Sequence, residues 1–96
     1  MTVKILDEAE QDLADGYRFY ECQQPGLGDY FLDSLFSDID SLQLSAGMHF
    51  RYFGYHRLLS KRFPWAIYYR VARKTARVYA VLDCRRNPAT IRDRLQ

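Results

Sequence analysis

Several features are missing from this 96-residue chain, and each absence removes a class of function. No apolar run approaches the roughly 18 residues that a membrane-spanning helix needs, so no membrane partner is expected. The opening MTVKILDEAEQD turns acidic at Asp7 and lacks the apolar core of a secretory leader, which points to the cytoplasm. Only two cysteines occur, Cys22 and Cys84, far apart in the chain. They make neither a zinc motif nor a disulfide framework, and a reducing compartment keeps them as thiols. There is no glycine-rich phosphate loop, no HExxH and no nucleophile elbow, so no metal or cofactor is expected.

Basic residues are scarce in one half and acidic residues in the other. Residues 1–48 hold two, Lys4 and Arg18, against ten carboxylates, a net of −8. Residues 49–96 hold twelve Lys or Arg against Asp83 and Asp93, a net of +10. A modest overall charge of +2 therefore conceals a dipolar molecule whose basic side suits an anionic partner, either nucleic acid or an acidic protein.

What is present reads as one small domain over residues 1–96, of the α+β class, in the order β-α-α-β-β-β. TVKIL (2–6) is a short strand. From Asp7, a candidate N-cap, to about Gln23, Ala9, Leu13, Gly16, Tyr17 and Tyr20 recur at helical spacing. Pro25-Gly26 breaks that helix. A second amphipathic run to about Leu44 turns Phe31, Leu35, Phe36, Ile39 and Leu42 inward and its aspartates outward. The short link predicts an antiparallel helical hairpin covering one face of a small twisted antiparallel sheet.

HFRYFGYHRLLSKRF (49–63) reads as a strand or strand pair with a bend at Gly54. WAIYYRV (65–71) is the central strand, with Trp65, Ile67, Tyr69 and Val71 on one face and Tyr68 and Arg70 on the other. ARKTAR turns the chain into VYAVLDC (78–84), where strict alternation puts Val78, Ala80 and Leu82 together. Pro88 starts a short basic segment that is expected to be exposed. Because the hairpin covers only one face, the face carrying Tyr68 and Arg70 is expected to be partly open.

The candidate binding residues follow from that geometry. Arg57, Lys61, Arg62, Tyr68, Arg70, Arg85 and Arg86 lie on or beside the C-terminal strands, with further tyrosines interleaved. Guanidinium forks and tyrosine faces suit a phosphodiester chain, and cationic sheets equally suit an acidic protein segment. His49 and His56 are the available imidazoles; histidine can act as a general base on a 2′-hydroxyl, and both also read as ordinary strand histidines.

Three segments carry a family resemblance: DEAEQDLADGYRFYECQQPGLGDYFLDSL, HRLLSKRFPWAIYYRV and the closing VYAVLDCRRNP. Together, in that order and over nearly the whole chain, they resemble RelE/ParE superfamily toxins of type II toxin–antitoxin and plasmid stabilisation systems. The resemblance implies a microbial-ribonuclease-like fold and an acidic antitoxin that folds onto the toxin in a hetero-oligomeric complex. It also implies one of two targets. RelE-like members cut mRNA on the ribosome; ParE-like members inhibit DNA gyrase and growth without nuclease chemistry. Against the RelE pattern, Arg57 and Arg86 stand at basic positions and are the catalytic candidates of a nuclease. Leu59 and Ala66 stand where further basic residues belong, and a C-terminal tyrosine or histidine is missing. These departures favour the ParE-like, gyrase-directed reading over the mRNA interferase. A non-toxic basic module for an acidic partner is the third alternative.

Overall fold

A computed structural model describes all of residues 1–96. The elements run β1 (Thr2–Ile5), α1 (Asp7–Gln23), α2 (Leu27–Asp40), α3 (Leu42–Ser45), β2 (Arg51–Tyr52), β3 (Tyr55–Leu59), β4 (Trp65–Ala72), β5 (Thr75–Asp83) and α4 (Pro88–Leu95). They form an α+β fold around one five-stranded sheet, in the order β1-β5-β4-β3-β2. Every pairing is antiparallel except β1 with β5, which is parallel because the α1–α2 hairpin carries the chain over the sheet between them.

The two helices of the hairpin touch the sheet through the spacing legible in the sequence. Ala9, Leu13 and Tyr20 of α1 and Phe31, Leu35 and Ile39 of α2 join Trp65, Ile67, Tyr69, Val78 and Val81 in the larger core. Gly16 lets α1 approach closely: a Cβ there would sit 2.6 Å from carbons of the Phe31 ring and 3.0 Å from Trp65. Glu21 closes the interhelical turn, its carboxylate accepting from the Gly26 and Gly28 amides at 3.1 and 3.0 Å. Some positions of the hairpin differ from expectation. Asp7 lies inside the first turn of α1, not at the cap, which Leu6 occupies without a side-chain bond. Phe36 is 41 % exposed, because it rotates past the sheet-facing stripe of α2.

The second face of the sheet differs more. The C-terminal segment, expected to be exposed, is the helix α4 packed on that face. Asn87 caps it, accepting from the Ala89 amide at 2.8 Å, with Pro88 at its start. Ile91 and Leu95 are buried against Ala66, Tyr68, Ala80 and Leu82 in a second, smaller core. The expected opening over Tyr68 is therefore closed, since two apolar residues four apart on α4 find an apolar surface to cover.

Strict alternation along the last strand fails at one point. Tyr68 pairs with Ala80 but Tyr69 pairs with Val78, so Tyr79 is an extra residue, a β-bulge. The bulge resets the pleat. Val78 and Val81 face the hairpin, Ala80 and Leu82 face α4, and Tyr79 packs against Tyr55 with ring centroids 5.2 Å apart. Beyond Ile5 the edge of β5 has no strand beside it. There the buried carboxylate of Asp12 supplies the missing acceptor, taking the Val81 amide at 3.0 Å. Arg94 of α4 reaches the same carboxylate with both terminal nitrogens, at 2.7 and 2.8 Å. One residue of α1 thus anchors the bulged strand and the terminal helix together.

Candidate interaction surface

The seven cationic and aromatic candidates fall into separate environments. Arg57 lies opposite Tyr68 across β3 and β4, on the α4 side of the sheet. It is half-buried, 5.4 Å above the Tyr52 ring, and its Nη2 donates to the Cys84 sulfur at 3.6 Å. Its buried Nε has no partner. Burial works against the guanidinium charge, but contacts with Cys84 and Tyr68 outweigh it and leave the group titrating above its ordinary value. Tyr68 itself is 1 % exposed, beneath α4, and is not on the surface as expected. Burial pushes its phenol up, against the pull of Arg57.

Arg70 is exposed and held in place by aromatics. Its guanidinium lies 4.1 Å from the Tyr55 ring and 5.4 Å from Tyr79, and its Nε donates to the Gly54 carbonyl at 3.4 Å. Lys61 and Arg62 are exposed in the loop before β4 with no ion pair. That loop is pinned from beneath by Asp38, which is buried where an outward aspartate was expected. Its carboxylate accepts from the Ser60 hydroxyl at 2.7 Å and the Lys61 amide at 3.4 Å.

Arg85 and Arg86, adjacent in sequence, have different roles. Arg85 forks onto Asp83, with Nε to Oδ1 at 2.9 Å and Nη2 to Oδ2 at 2.7 Å, and also donates to the Tyr20 hydroxyl at 3.3 Å. Those bonds hold the Asp83 carboxyl below the usual carboxylate range. Arg85 is therefore an internally neutralised cation. Arg86 lines a cleft of about 230 Å³ with Asp15, Gly16, Phe19, Trp65 and Asp83, on the helical side. Arg57 and Arg86 consequently belong to opposite sides of the sheet.

The histidines do meet, at Tyr69. His49 Nδ1 is hydrogen-bonded to the Tyr69 hydroxyl, which also accepts from the Gly47 amide at 3.0 Å. His56 stacks on the Tyr69 ring and donates from Nδ1 to the His49 carbonyl at 2.8 Å. Burial first, and then the neighbouring His56, lower the His49 titration. Tyr69 is fully buried, so this cluster ties the α3–β2 connection to the core.

Sequence reasoning missed a second surface feature. Leu44 and Phe50 are each 94 % exposed and Met48 is 79 % exposed, with Phe53 and Leu59 about half uncovered. All five lie between α3 and the end of β3, beside β2, the free edge of the sheet. In sequence they were indistinguishable from core residues, because the α3–β2 connection has no periodicity to show which side faces inward. No helix is long and apolar enough to cross a membrane.

No family model and no curated protein matches the sequence. Among solved structures, the chain is similar to one described as the chromosomal ParDE TA system from P. aeruginosa, with a TM-score of 0.76. The similarity covers 84 % of this chain and 92 % of that one, at 21 % identity. The fold is ParE-like. At that identity the likeness carries the architecture, and the surface chemistry is this chain's own.

Proposed function

We propose that this protein is the toxin of a type II toxin–antitoxin module, neutralised by an acidic antitoxin and directed, in the ParE-like manner, against DNA gyrase in the cytoplasm. The observation that carries the reading is the ParE-like fold over 84 % of this chain and 92 % of the similar one. The sequence segments quoted above support it independently of the coordinates. The antitoxin docks along β2 and its flanks, where exposed Leu44, Met48, Phe50 and Leu59 adjoin exposed Arg51, Lys61 and Arg62. An unpaired strand edge, apolar side chains and uncompensated cations together suit a disordered acidic segment that folds on binding.

Gyrase is preferred over ribosome-bound mRNA on chemical grounds. In-line cleavage needs a base, an acid and charge stabilisation converging on one phosphate. The groups that engage the Arg57 guanidinium are Tyr52, Tyr68 and Cys84, and Tyr68 is sealed under α4 with its phenol raised. Arg86 faces a cleft that contains Asp15 and Asp83. A toxin that acts by binding needs none of that convergence.

The test is a pulse-label of cells shortly after inducing this gene alone, following thymidine and methionine incorporation together. DNA synthesis falling first, with double-strand breaks, is the expected result. A prior stop in protein synthesis, abolished by Arg57→Ala or Arg86→Ala, would favour the mRNA endonuclease. Normal growth with abundant folded protein would favour the non-toxic binding module.

A further inference from the structure

Between α1 and α2, where β1 ends, Ile5, Leu13, Ala14, Leu32 and Phe36 line an apolar cleft of about 360 Å³, with exposed Glu10 beside them. Phe36, which the sheet-facing stripe of α2 leaves uncovered, belongs to this cleft. The charge around it has one sign. On α2, Asp29, Asp33, Phe36 and Asp40 follow at steps of four, three and four, so Phe36 stands in a column of exposed aspartates. On α1, Glu10, Ala14, Tyr17 and Glu21 follow at the same steps.

None of these five carboxylates forms an ion pair. Glu21 gives its oxygens to the neutral amides of Gly26 and Gly28, which leaves its charge in place. The only cation of the hairpin, Arg18, is paired with Asp15. Lys4 of β1 points to the other face of the sheet, since Val3 and Ile5 on either side of it pack on the larger core. The field registers on Tyr17, whose phenol is pushed above its ordinary value by Glu21 first and then by Asp29.

An apolar cleft rimmed by uncompensated carboxylates selects its occupant. Nucleic acid, an anionic lipid surface and an acidic protein segment are all repelled there. Two copies of this chain set groove to groove would bring the same carboxylates together, which disfavours self-pairing through this face. We propose that the hairpin groove docks a basic amphipathic segment of another protein. A leucine- or phenylalanine-sized side chain enters the cleft against Leu32 and Phe36, and flanking Lys or Arg side chains reach Glu10, Asp33 and Asp40. The groove adjoins β1, whereas the surface assigned above to the antitoxin follows β2, the opposite edge of the sheet. Partners of opposite charge can therefore be held at once, and docking in the groove does not require the toxin reading.

The test is an NMR titration of the full chain with three short synthetic peptides at constant ionic strength. One carries leucine at helical spacing with lysine elsewhere, the second has glutamate for lysine, and the third keeps the lysines with serine for leucine. Only the leucine–lysine peptide is expected to give saturable shifts, at the Ala14, Leu32 and Phe36 amides. Phe36→Ala is expected to weaken its binding at least about tenfold, as loss of a central aromatic contact does. Asp33→Asn with Asp40→Asn, at two exposed positions without ion pairs, is expected to weaken it about two- to fivefold and to flatten its salt dependence. Asp93→Asn, on α4, is the control. Equal binding of the glutamate peptide, no saturable shift with the leucine–lysine peptide, or binding that Phe36→Ala and the double asparagine variant leave unchanged would overturn the proposal. So would self-association of the free chain that Phe36→Ala abolishes, because the groove would then belong to a second copy.

Discussion

Replacing Asp12 with alanine tests the central joint of the fold. The carboxylate is 7 % exposed and serves two partners, the Val81 amide at 3.0 Å and the Arg94 fork at 2.7 and 2.8 Å. The substitution strands the amide on the part of the β5 edge that β1 does not reach, at a cost of about 1–3 kcal/mol. It also leaves Arg94 without its principal counter-ion. Because the Arg94 side chain keeps 27 % of its exposure, water recovers part of that charge, and the loss is about 1–2 kcal/mol. The sum, about 3 kcal/mol, is a large share of the roughly 5–15 kcal/mol that stabilises a small domain. Asp12→Asn keeps an oxygen for Val81 and gives up the charge, so it should recover roughly half of the loss. The assay is urea unfolding of the three proteins, together with exchange protection of the Val81 amide. A loss below about 1 kcal/mol for alanine, or equal losses for alanine and asparagine, would refute the idea that this carboxylate substitutes for a missing strand.

Other perturbations follow from single contacts. Gly16→Ala should destabilise by about 1–3 kcal/mol, because its methyl overlaps the Phe31 ring; unchanged urea unfolding would mean the helix spacing is soft. Arg73 and Lys74 occupy the two left-handed positions of the β4–β5 turn at φ 51° and 62°, so Arg73→Asn with Lys74→Gly should stabilise by about 0.5–1 kcal/mol, read as a higher Tm. His49 titrates below its usual range in the fold, so the unfolded chain takes up that proton first. Its contribution is complete above the ordinary histidine range and is lost as pH falls through and below about 6.5; an NMR titration of the imidazole checks the direction, and His49→Gln should reduce that part of the pH dependence.

The sequence alone was sufficient for whatever depends on period. The apolar positions of α1 and α2 recur every three or four residues, and Pro25-Gly26 interrupts them, so a hairpin with one buried stripe was legible without coordinates. The same holds for Trp65, Ile67 and Tyr69, whose common face follows from the twofold pleat. The cationic character of the C-terminal half was likewise a matter of counting. Cationic side chains could be found in this way, but their partners could not. Arg85 is spent on Asp83, Arg57 and Arg86 lie on opposite sides of the sheet, and Arg70 is clamped between Tyr55 and Tyr79.

Tertiary structure decided the rest through contacts between residues far apart in the chain. The extra residue at Tyr79 is invisible to alternation, and it exists because β4 and β5 pair around it while Asp12, contributed by another element, holds the amide beyond. Residues 88–95 look like a basic tail because only Ile91 and Leu95 are turned inward among polar neighbours. Two apolar side chains carry little signal alone and acquire meaning only when Ala66, Tyr68, Ala80 and Leu82 lie beneath them. Local pattern fixes which residues are apolar and at what period; burial, charge pairing and the meeting of His49 with His56 on Tyr69 depend on chain crossings that no local pattern encodes.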